Sequence, residues 1–151
     1  MSTSTKNRGI AFVVSAPSGA GKSTIIRRVM ASDGQLRFSV SCTTRPSRPG
    51  EVDGRDYHFL EDEVFQEHVD AGDFLEHARV FGNQYGTLRS DVEEDLAEGK
   101  DVIVEIEIKG AEQIRQVVAA GDFDEHVVFV FIVPPSMEEL RRRIESRGGD
   151  A

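Results

Sequence analysis

The chain has 151 residues, 38% of them hydrophobic and 30% charged, which is typical of one globular domain. Its net charge of −9 argues against a nucleic-acid partner, because such proteins need a basic surface. No apolar run approaches the roughly 20 residues that cross a bilayer, and the polar N-terminus lacks a signal-peptide core. The single cysteine, Cys42, cannot form an internal disulfide. We therefore expect a cytoplasmic protein without a membrane or nucleic-acid partner, and nothing in the sequence indicates its oligomeric state.

Short apolar runs alternate with amphipathic segments along the chain. Capping boxes are predicted at Ser90 and Glu93 and at Ser136 and Glu139, and Gly99 predicts a left-handed helix end. In chain order, we expect a buried strand over 10–15, a helix from 22, a strand over 36–44, a helix near 61–71, an extended segment over 74–81, a turn over 82–87, a helix over 90–99, a strand over 101–108, a helix over 110–121, a strand covered on both faces over 126–133 and a helix closing the chain.

This alternation predicts an α/β fold, with a mainly parallel sheet and helices on both faces. The stretch over about 41–90 has weaker periodicity and is predicted to be an insertion on the core. We expect one domain over 1–151, with a core formed by about 8–40 and 91–135.

The stretch SAPSGAGKST, residues 15–24, lies between the first strand and the first helix. This order is typical of a phosphate-binding P-loop, in which glycines let backbone N–H groups face an anion. Lys22 is predicted to reach the outer phosphates and Ser23 to ligate Mg²⁺. Ala16 stands where the usual motif has glycine, which is tolerable if its φ is negative. The residues expected to bind ATP are Ala16, Pro17, Ser18, Gly19, Ala20, Gly21, Lys22, Ser23 and Thr24.

Two further groups of charged residues suggest a second site. Glu105 and Glu107 share one face at the carboxyl end of the strand predicted over 101–108, where open α/β sheets bind ligands. The alternative is an edge strand with solvated glutamates. Arg45 and Arg48 lie three residues apart before Tyr57, which suits a monophosphate beside a P-loop. A solvated loop is the alternative here.

The stretches SAPSGAGKST, FSVSCTTRPSRPGEVDGRDYHF, GDFLEHARVFGNQYGT and PPSMEELRRRIESRG together resemble the guanylate kinase family of P-loop nucleoside monophosphate kinases. The resemblance implies transfer of the γ-phosphate of ATP to GMP or dGMP, with Mg²⁺, in purine nucleotide metabolism. It also implies a P-loop NTPase core, an inserted GMP-binding region and a partial lid over about 136–151. Family members extend further, so we expect the chain to end within the lid.

The same resemblance implies roles for individual residues. Lys22, Arg45, Arg143 and Arg147 are expected to act in catalysis, the last two from the lid. The expected GMP-binding residues are Ser41, Arg45, Arg48, Tyr57, Glu76, Tyr85, Gly86, Thr87, Glu105 and Glu107. The chemistry agrees at Glu76, because a carboxylate can accept both the N1–H and the exocyclic amine of guanine, whereas adenine would leave it unpaired.

Two other functions stay open at this point. A kinase acting on a sugar phosphate would share the P-loop but would not need Glu76, Tyr85 and Thr87. A non-catalytic module, like the guanylate kinase-like domains of membrane-associated scaffolds, would tend to lack the P-loop lysine, which is present here as Lys22.

Overall fold

The computed structural model describes residues 7–17 and 19–146. In these ranges the strands are β1 (Ile10–Ser15), β2 (Arg37–Phe38), β3 (Cys42–Thr43), β4 (His58–Phe59), β5 (Phe74–Val80), β6 (Asn83–Leu88), β7 (Val102–Glu105) and β8 (His126–Phe131). The helices are α1 (Lys22–Ser32), α2 (Asp62–Asp70), α3 (Arg89–Ala97), α4 (Ile108–Ala119) and α5 (Met137–Ser146). No helix in the described ranges has the length and apolar composition needed to cross a membrane.

The first sheet is parallel throughout, with strand order β2-β7-β1-β8. Successive side chains of β1 point to opposite faces, so Val13 and Val14 enter different cores. Val13 packs with Leu96 of α3 and Ile114 of α4, whereas Val14 packs with Ile26 of α1. The predicted α/β fold, a parallel sheet with helices on both faces, is confirmed.

The second sheet has the order β4-β3-β6-β5 and is formed by residues 42–88. Its small core contains Cys42, Phe65 and Phe74, and burial raises the pKa of the Cys42 thiol to about 12. This sheet falls within the predicted insertion over about 41–90. The insertion, core and lid boundaries themselves stay a prediction.

The single strand predicted over 36–44 is wrong, because this segment contributes to both sheets. Arg37 and Phe38 pair with β7 in the parallel sheet, and Cys42 and Thr43 pair with β4 and β6 in the second. Residue preferences for extended structure are the same for either partner, so they do not reveal where the chain changes sheets.

The turn predicted over 82–87 is wrong for most of its length. Only Phe81 and Gly82 form the turn, with φ values of 50° and 82°, and Asn83–Leu88 continues as β6. Two consecutive residues with positive φ are typical of the tightest hairpins. The side chain of Phe81 is 98% exposed at this tip.

The strand predicted over 101–108 is too long by four residues, three of them at its carboxyl end. β7 ends at Glu105, and α4 begins at Ile108 after Glu107. The carbonyl of Ile106 accepts a hydrogen bond from the Lys22 ammonium at 3.1 Å instead of continuing a strand ladder. Glu105 and Glu107 therefore do not share one face of a strand.

The two predicted capping boxes have different outcomes. The Ser136 hydroxyl accepts a hydrogen bond from the Glu139 N–H at 3.0 Å, so this half of the predicted box is confirmed. Ser90 lies inside α3, whose cap is Leu88 without a side-chain hydrogen bond. The N–H of Arg89 donates to the carbonyl of Asp73, and this contact with the second sheet starts the helix earlier than the box predicts. Gly99 has φ 83°, as predicted.

The prediction that 126–133 is covered on both faces is wrong. β8 is an edge strand that pairs with β1, and the side chains of Val128, Phe129, Val130 and Phe131 are 36–54% exposed. The described helices α3 and α4 pack over β1 instead. An apolar run does not by itself distinguish an edge strand from a central one.

Candidate active site

The predicted P-loop is a turn between the end of β1 and the start of α1. Gly19 and Gly21 have φ values of 82° and 91°, a conformation that side-chain-bearing residues rarely adopt. Gly21 directly precedes α1, so the unpaired N–H groups of the first helical turn adjoin the loop. Ala16 does not have a positive φ, so alanine is accommodated there.

The Lys22 and Ser23 side chains point from α1 toward the end of β7. The Lys22 ammonium donates to the Ile106 carbonyl at 3.1 Å and lies 3.9 Å from the Glu105 carboxylate. The Ser23 hydroxyl donates to the same carboxylate at 3.2 Å. The lysine, the hydroxyl and the carboxylate are thus brought together, although the sequence analysis expected Glu105 among the GMP-binding residues and not beside the P-loop.

Helix α5 packs directly on the P-loop. A Cβ built on Gly19 would lie 3.1 Å from Cγ1 of Ile144, so glycine permits this close contact. The Arg143 guanidinium reaches the carbonyl oxygens of Ala20 at 3.3 Å and Gly19 at 3.5 Å. Arg143 therefore lies beside the P-loop. The other predicted residues Arg147 and Ser18 lie outside the described residues.

Arg45 is the centre of the predicted phosphate pocket and is only 8% exposed. Its guanidinium donates to both carboxylate oxygens of Glu51, at 3.0 and 2.9 Å, and lies 5.1 Å from the ring centroid of Tyr57. The hydrogen bonds that the Arg45 guanidinium donates to Glu51, together with those to Tyr85 and Tyr57, raise the pKa of Arg45. The Arg45 hydrogen bond in turn lowers the pKa of Glu51 to about 2. The Arg45 guanidinium is therefore permanently charged, and it is held in a largely buried position.

The other predicted phosphate ligands border the same cluster. The rings of Tyr57 and Tyr85 are 6.0 Å apart, and Ser41 immediately precedes β3. The backbone N–H of Arg48 donates to Glu51 at 2.7 Å while its side chain is exposed. Thr24 is exposed in the first turn of α1 and has no contact that assigns it a role.

Glu76 and Thr87 face each other across strands β5 and β6. The Thr87 hydroxyl donates to Oε1 of Glu76 at 2.9 Å, and both side chains are buried. A β-bulge between Phe74 and Glu76 changes the register beside them, a device that re-aims side chains. Gly86 pairs with His77 on the same hairpin. Burial raises the pKa of Glu76 to about 7, opposed by the Thr87 hydrogen bond and assisted by the charge of Glu107.

The segment 105–107 connects the two groups of residues. Glu105 binds Ser23 on the donor side, whereas Glu107 is near enough to Glu76 for its charge to raise that pKa. The two glutamates therefore serve different neighbours, because the chain turns between β7 and α4. This arrangement places the P-loop and the buried carboxylate on either side of one short segment.

Three residues of this region escaped the sequence analysis. Glu51 is the carboxylate partner of Arg45. Gly110 lets α4 approach the Glu76 carboxylate, since a Cβ on this residue would lie 3.2 Å from Oε2 of Glu76. Gln113 donates to and accepts from the backbone of His77. A turn before Glu51 is signalled by Gly50, but no local pattern indicates the contacts of Gly110 or Gln113, because they are formed between distant segments.

Comparison with known proteins gives one consistent result. The family model described as guanylate kinase matches residues 8–151. The chain is 50% identical to a guanylate kinase of Ruegeria sp. over 96% of its own length, and 53% identical to that of Zymomonas mobilis over 95%. It covers 65% and 64% of those two relatives.

A solved structure agrees with these relatives. The crystal structure of guanylate kinase from Anaplasma phagocytophilum has a TM-score of 0.66 at 36% identity, covering 96% of this chain and 70% of that one. The family model spans nearly the whole chain, and it includes both the P-loop and the Glu76 hairpin. The chain therefore belongs to the guanylate kinase family.

Proposed function

We propose that this chain transfers the γ-phosphate of ATP to GMP, giving ADP and GDP. The observation that carries the proposal is the segment 105–107, which contacts the P-loop through Glu105 and adjoins Glu76, since a Cβ on Gly110 would lie 2.5 Å from Cγ1 of Ile106 and 3.2 Å from Oε2 of Glu76. Phosphoryl transfer needs little covalent help from the protein, so positioning the two nucleotides and neutralising charge suffice.

ATP is proposed to bind at the P-loop. The loop amides and the α1 N-terminus would surround its phosphates, with the Lys22 ammonium against the outer ones. Lys22 is now held by a carbonyl and a carboxylate, contacts that a phosphate can replace or share. Arg143 lies on the same loop and would add positive charge and exclude water. We propose the same for Arg147.

GMP is proposed to bind at the second sheet. Arg45, Arg48, Ser41, Tyr57 and Tyr85 would hold its phosphate through charge-assisted hydrogen bonds. Glu76 in its ionised form would accept the N1–H and the amine of guanine, and the Thr87 hydroxyl and Gly86 would frame the base. Adenine offers a lone pair where the carboxylate needs a donor, and such mismatches can cost ~10⁴-fold in selectivity.

The residues present fit Mg²⁺. Ser23 and Glu105 supply a hydroxyl and a carboxylate oxygen 3.2 Å apart, and Mg²⁺ is typically held by one or two such ligands together with substrate phosphates. The described residues contain no cluster of three or more His, Cys, Asp or Glu side chains, so substrate oxygens would complete the coordination. Bound there, the ion would neutralise charge on the donor phosphates.

A cytoplasmic location and a role in purine nucleotide metabolism belong to the same proposal. They are supported by the two proposed substrates and by the buried free thiol of Cys42, which suits a reducing compartment.

ADP formation in a coupled assay tests the proposal, with GMP, dGMP and AMP as acceptors. We expect GMP to be preferred to AMP by at least about 100-fold, because Glu76 cannot pair with adenine. Lys22→Ala should lower kcat by about 100-fold or more, while Arg27→Ala, an exposed change on the same helix, should leave it unaltered.

The assay should include a longer version that also carries the part of the relatives' length that this chain does not cover. Equal transfer to AMP and GMP in both versions would overturn the guanine assignment. A binding preference for ribose phosphates over GMP would favour a sugar-phosphate kinase. GMP binding without transfer in either version would favour the non-catalytic module.

A further inference from the structure

Strand β5, which carries Glu76, lies at the edge of the second sheet. Its neighbour on one side is β6, so the backbone groups on its other side are directed away from the sheet. Helix α4 packs against that side, and Leu75 shares a core with Ile114 of the helix. The contact between β5 and α4 therefore decides how the second sheet sits against the parallel sheet.

The Gln113 side chain of α4 bonds to both backbone groups of one residue on this edge. Its Oε1 accepts from the His77 N–H at 3.2 Å, and its Nε2 donates to the His77 carbonyl at 3.1 Å. A primary amide offers a donor and an acceptor in one plane, so it reproduces the bonds that a neighbouring strand would make. Leucine or a carboxylate could not form both.

The same face of α4 also contacts the Glu76 carboxylate. Gly110 precedes Gln113 by three residues, so both lie on one side of the helix. A Cβ on Gly110 would lie 3.2 Å from Oε2 of Glu76 and 2.5 Å from Cγ1 of Ile106. The helix thus approaches β5 at Glu76 and binds the adjoining backbone of His77.

The other end of this connection is the P-loop. Residues 105–107 lead directly into α4, and they contact Ser23 and Lys22 through Glu105 and the Ile106 carbonyl. A displacement of β5 along α4 would consequently change the distance from Glu76 to the P-loop without altering either group internally.

We propose that Gln113 is a positioning residue that fixes the β5–β6 hairpin, which carries Glu76, relative to the P-loop. This inference rests on the proposed function, since it concerns the alignment of GMP with ATP. Gln113 is not among the residues proposed to bind either nucleotide; it acts through the backbone of His77, next to Glu76. Misplacement of reacting groups by about 1 Å can cost 100-fold in rate, so the effect should fall on the chemical step more than on binding.

Gln113→Leu removes both hydrogen bonds with little change in volume. We expect kcat for GMP to fall about tenfold, while the Kd of GMP measured without ATP changes less than about threefold. Hydrogen exchange at the His77 amide should become about tenfold faster, because its N–H loses the hydrogen bond to Gln113.

Two variants serve as matched controls. His77→Ala keeps the backbone groups that Gln113 binds, and its side chain is exposed, so kcat should stay within twofold of the parent. Gln116→Leu makes the same chemical change at an exposed residue of α4 for which no contact with β5 is seen, and it should have no effect.

The outcomes separate this inference from the proposed function. An unchanged kcat in Gln113→Leu, or unchanged exchange at His77, overturns the positioning role. A parallel loss in kcat and GMP affinity also overturns it, because it would indicate general disruption of the hairpin. A parent protein that neither binds nor phosphorylates GMP overturns the proposed function, and the exchange measurement then still decides whether Gln113 holds β5.

Discussion

At the scale of single residues, Glu76 has the most unusual environment in the described chain. It is a carboxyl group that is 7% exposed, accepts one hydroxyl hydrogen bond and lies near a second carboxylate. Burial and the Glu107 charge disfavour its ionised form, yet guanine recognition would require that form. A base with two N–H donors would stabilise the ionised form of Glu76, which its surroundings disfavour in the free protein.

This environment predicts a stability that depends on pH. The pKa of Glu76 is about 7 in the folded chain and about 4.5 when unfolded, so between these values only the folded state keeps the proton. The stabilising contribution of the protonated Glu76 carboxyl to the free energy of unfolding is complete below about pH 4.5 and is lost as the pH rises through 7. Glu76→Gln should thus be more stable than the parent by up to about 3 kcal/mol at pH 8, because the parent must ionise a buried carboxyl group whose pKa is about 7 in the folded chain and 4.5 in the unfolded one.

Denaturant unfolding of both proteins at pH 5, 6, 7 and 8 checks the prediction. The difference in unfolding free energy should grow with pH and level off above 7. A difference that is constant across this range would mean that Glu76 ionises normally.

At the scale of elements, the β5–β6 hairpin is built around one missing side chain. A Cβ on Gly86 would lie 2.8 Å from two ring atoms of Phe74, and that ring packs on Phe65 with 4.7 Å between centroids. The glycine thus lets the ring close the small core while the Glu76 and Thr87 side chains stay adjacent on the same two strands.

Gly86→Ala is accordingly expected to destabilise the protein by about 1–3 kcal/mol, as overpacked cores usually do. The double variant Gly86→Ala with Phe74→Leu should recover part of this loss, because the smaller side chain vacates the contact. Thermal unfolding measures both. If the two substitutions add without any recovery, the ring contact is not the cause.

The elements also show what a sequence can predict here. The P-loop was predictable because its glycines, lysine and serine are consecutive and lie between a strand and a helix. The roles of Glu105 and Glu107 were not, because a period of two predicts one shared face, whereas β7 ends at Glu105 and the Ile106 carbonyl binds Lys22. Contacts such as Gln113 with His77 join segments 36 residues apart and leave no local pattern.

At the scale of the whole molecule, the strands of the parallel sheet differ in how well they are covered. Val102 and Val104 of β7 are almost completely buried, whereas β8 at the edge has Phe129 39% and Phe131 54% exposed. An edge strand with exposed apolar side chains is a template for association with other chains. The net charge of −9 opposes such association, and salt weakens that repulsion.

Phe131→Lys should consequently reduce self-association of this chain. Sedimentation at several protein concentrations should show a smaller weight-average mass than for the parent, and binding of an apolar dye should fall. Phe81→Lys provides the comparison, since Phe81 is 98% exposed but stands alone at a hairpin tip. An equal effect of both substitutions would indicate that added charge, and not the β8 edge, is responsible.

The tight turn at Phe81 and Gly82 has a practical consequence. Phe81→Cys would place a thiol in solvent on the same hairpin as Glu76 and distant from it in register, so a fluorophore could be attached there while the native Cys42 stays buried. With a second dye attached at an exposed position of α1, energy transfer between the two dyes would report the distance between the hairpin and the P-loop in real time.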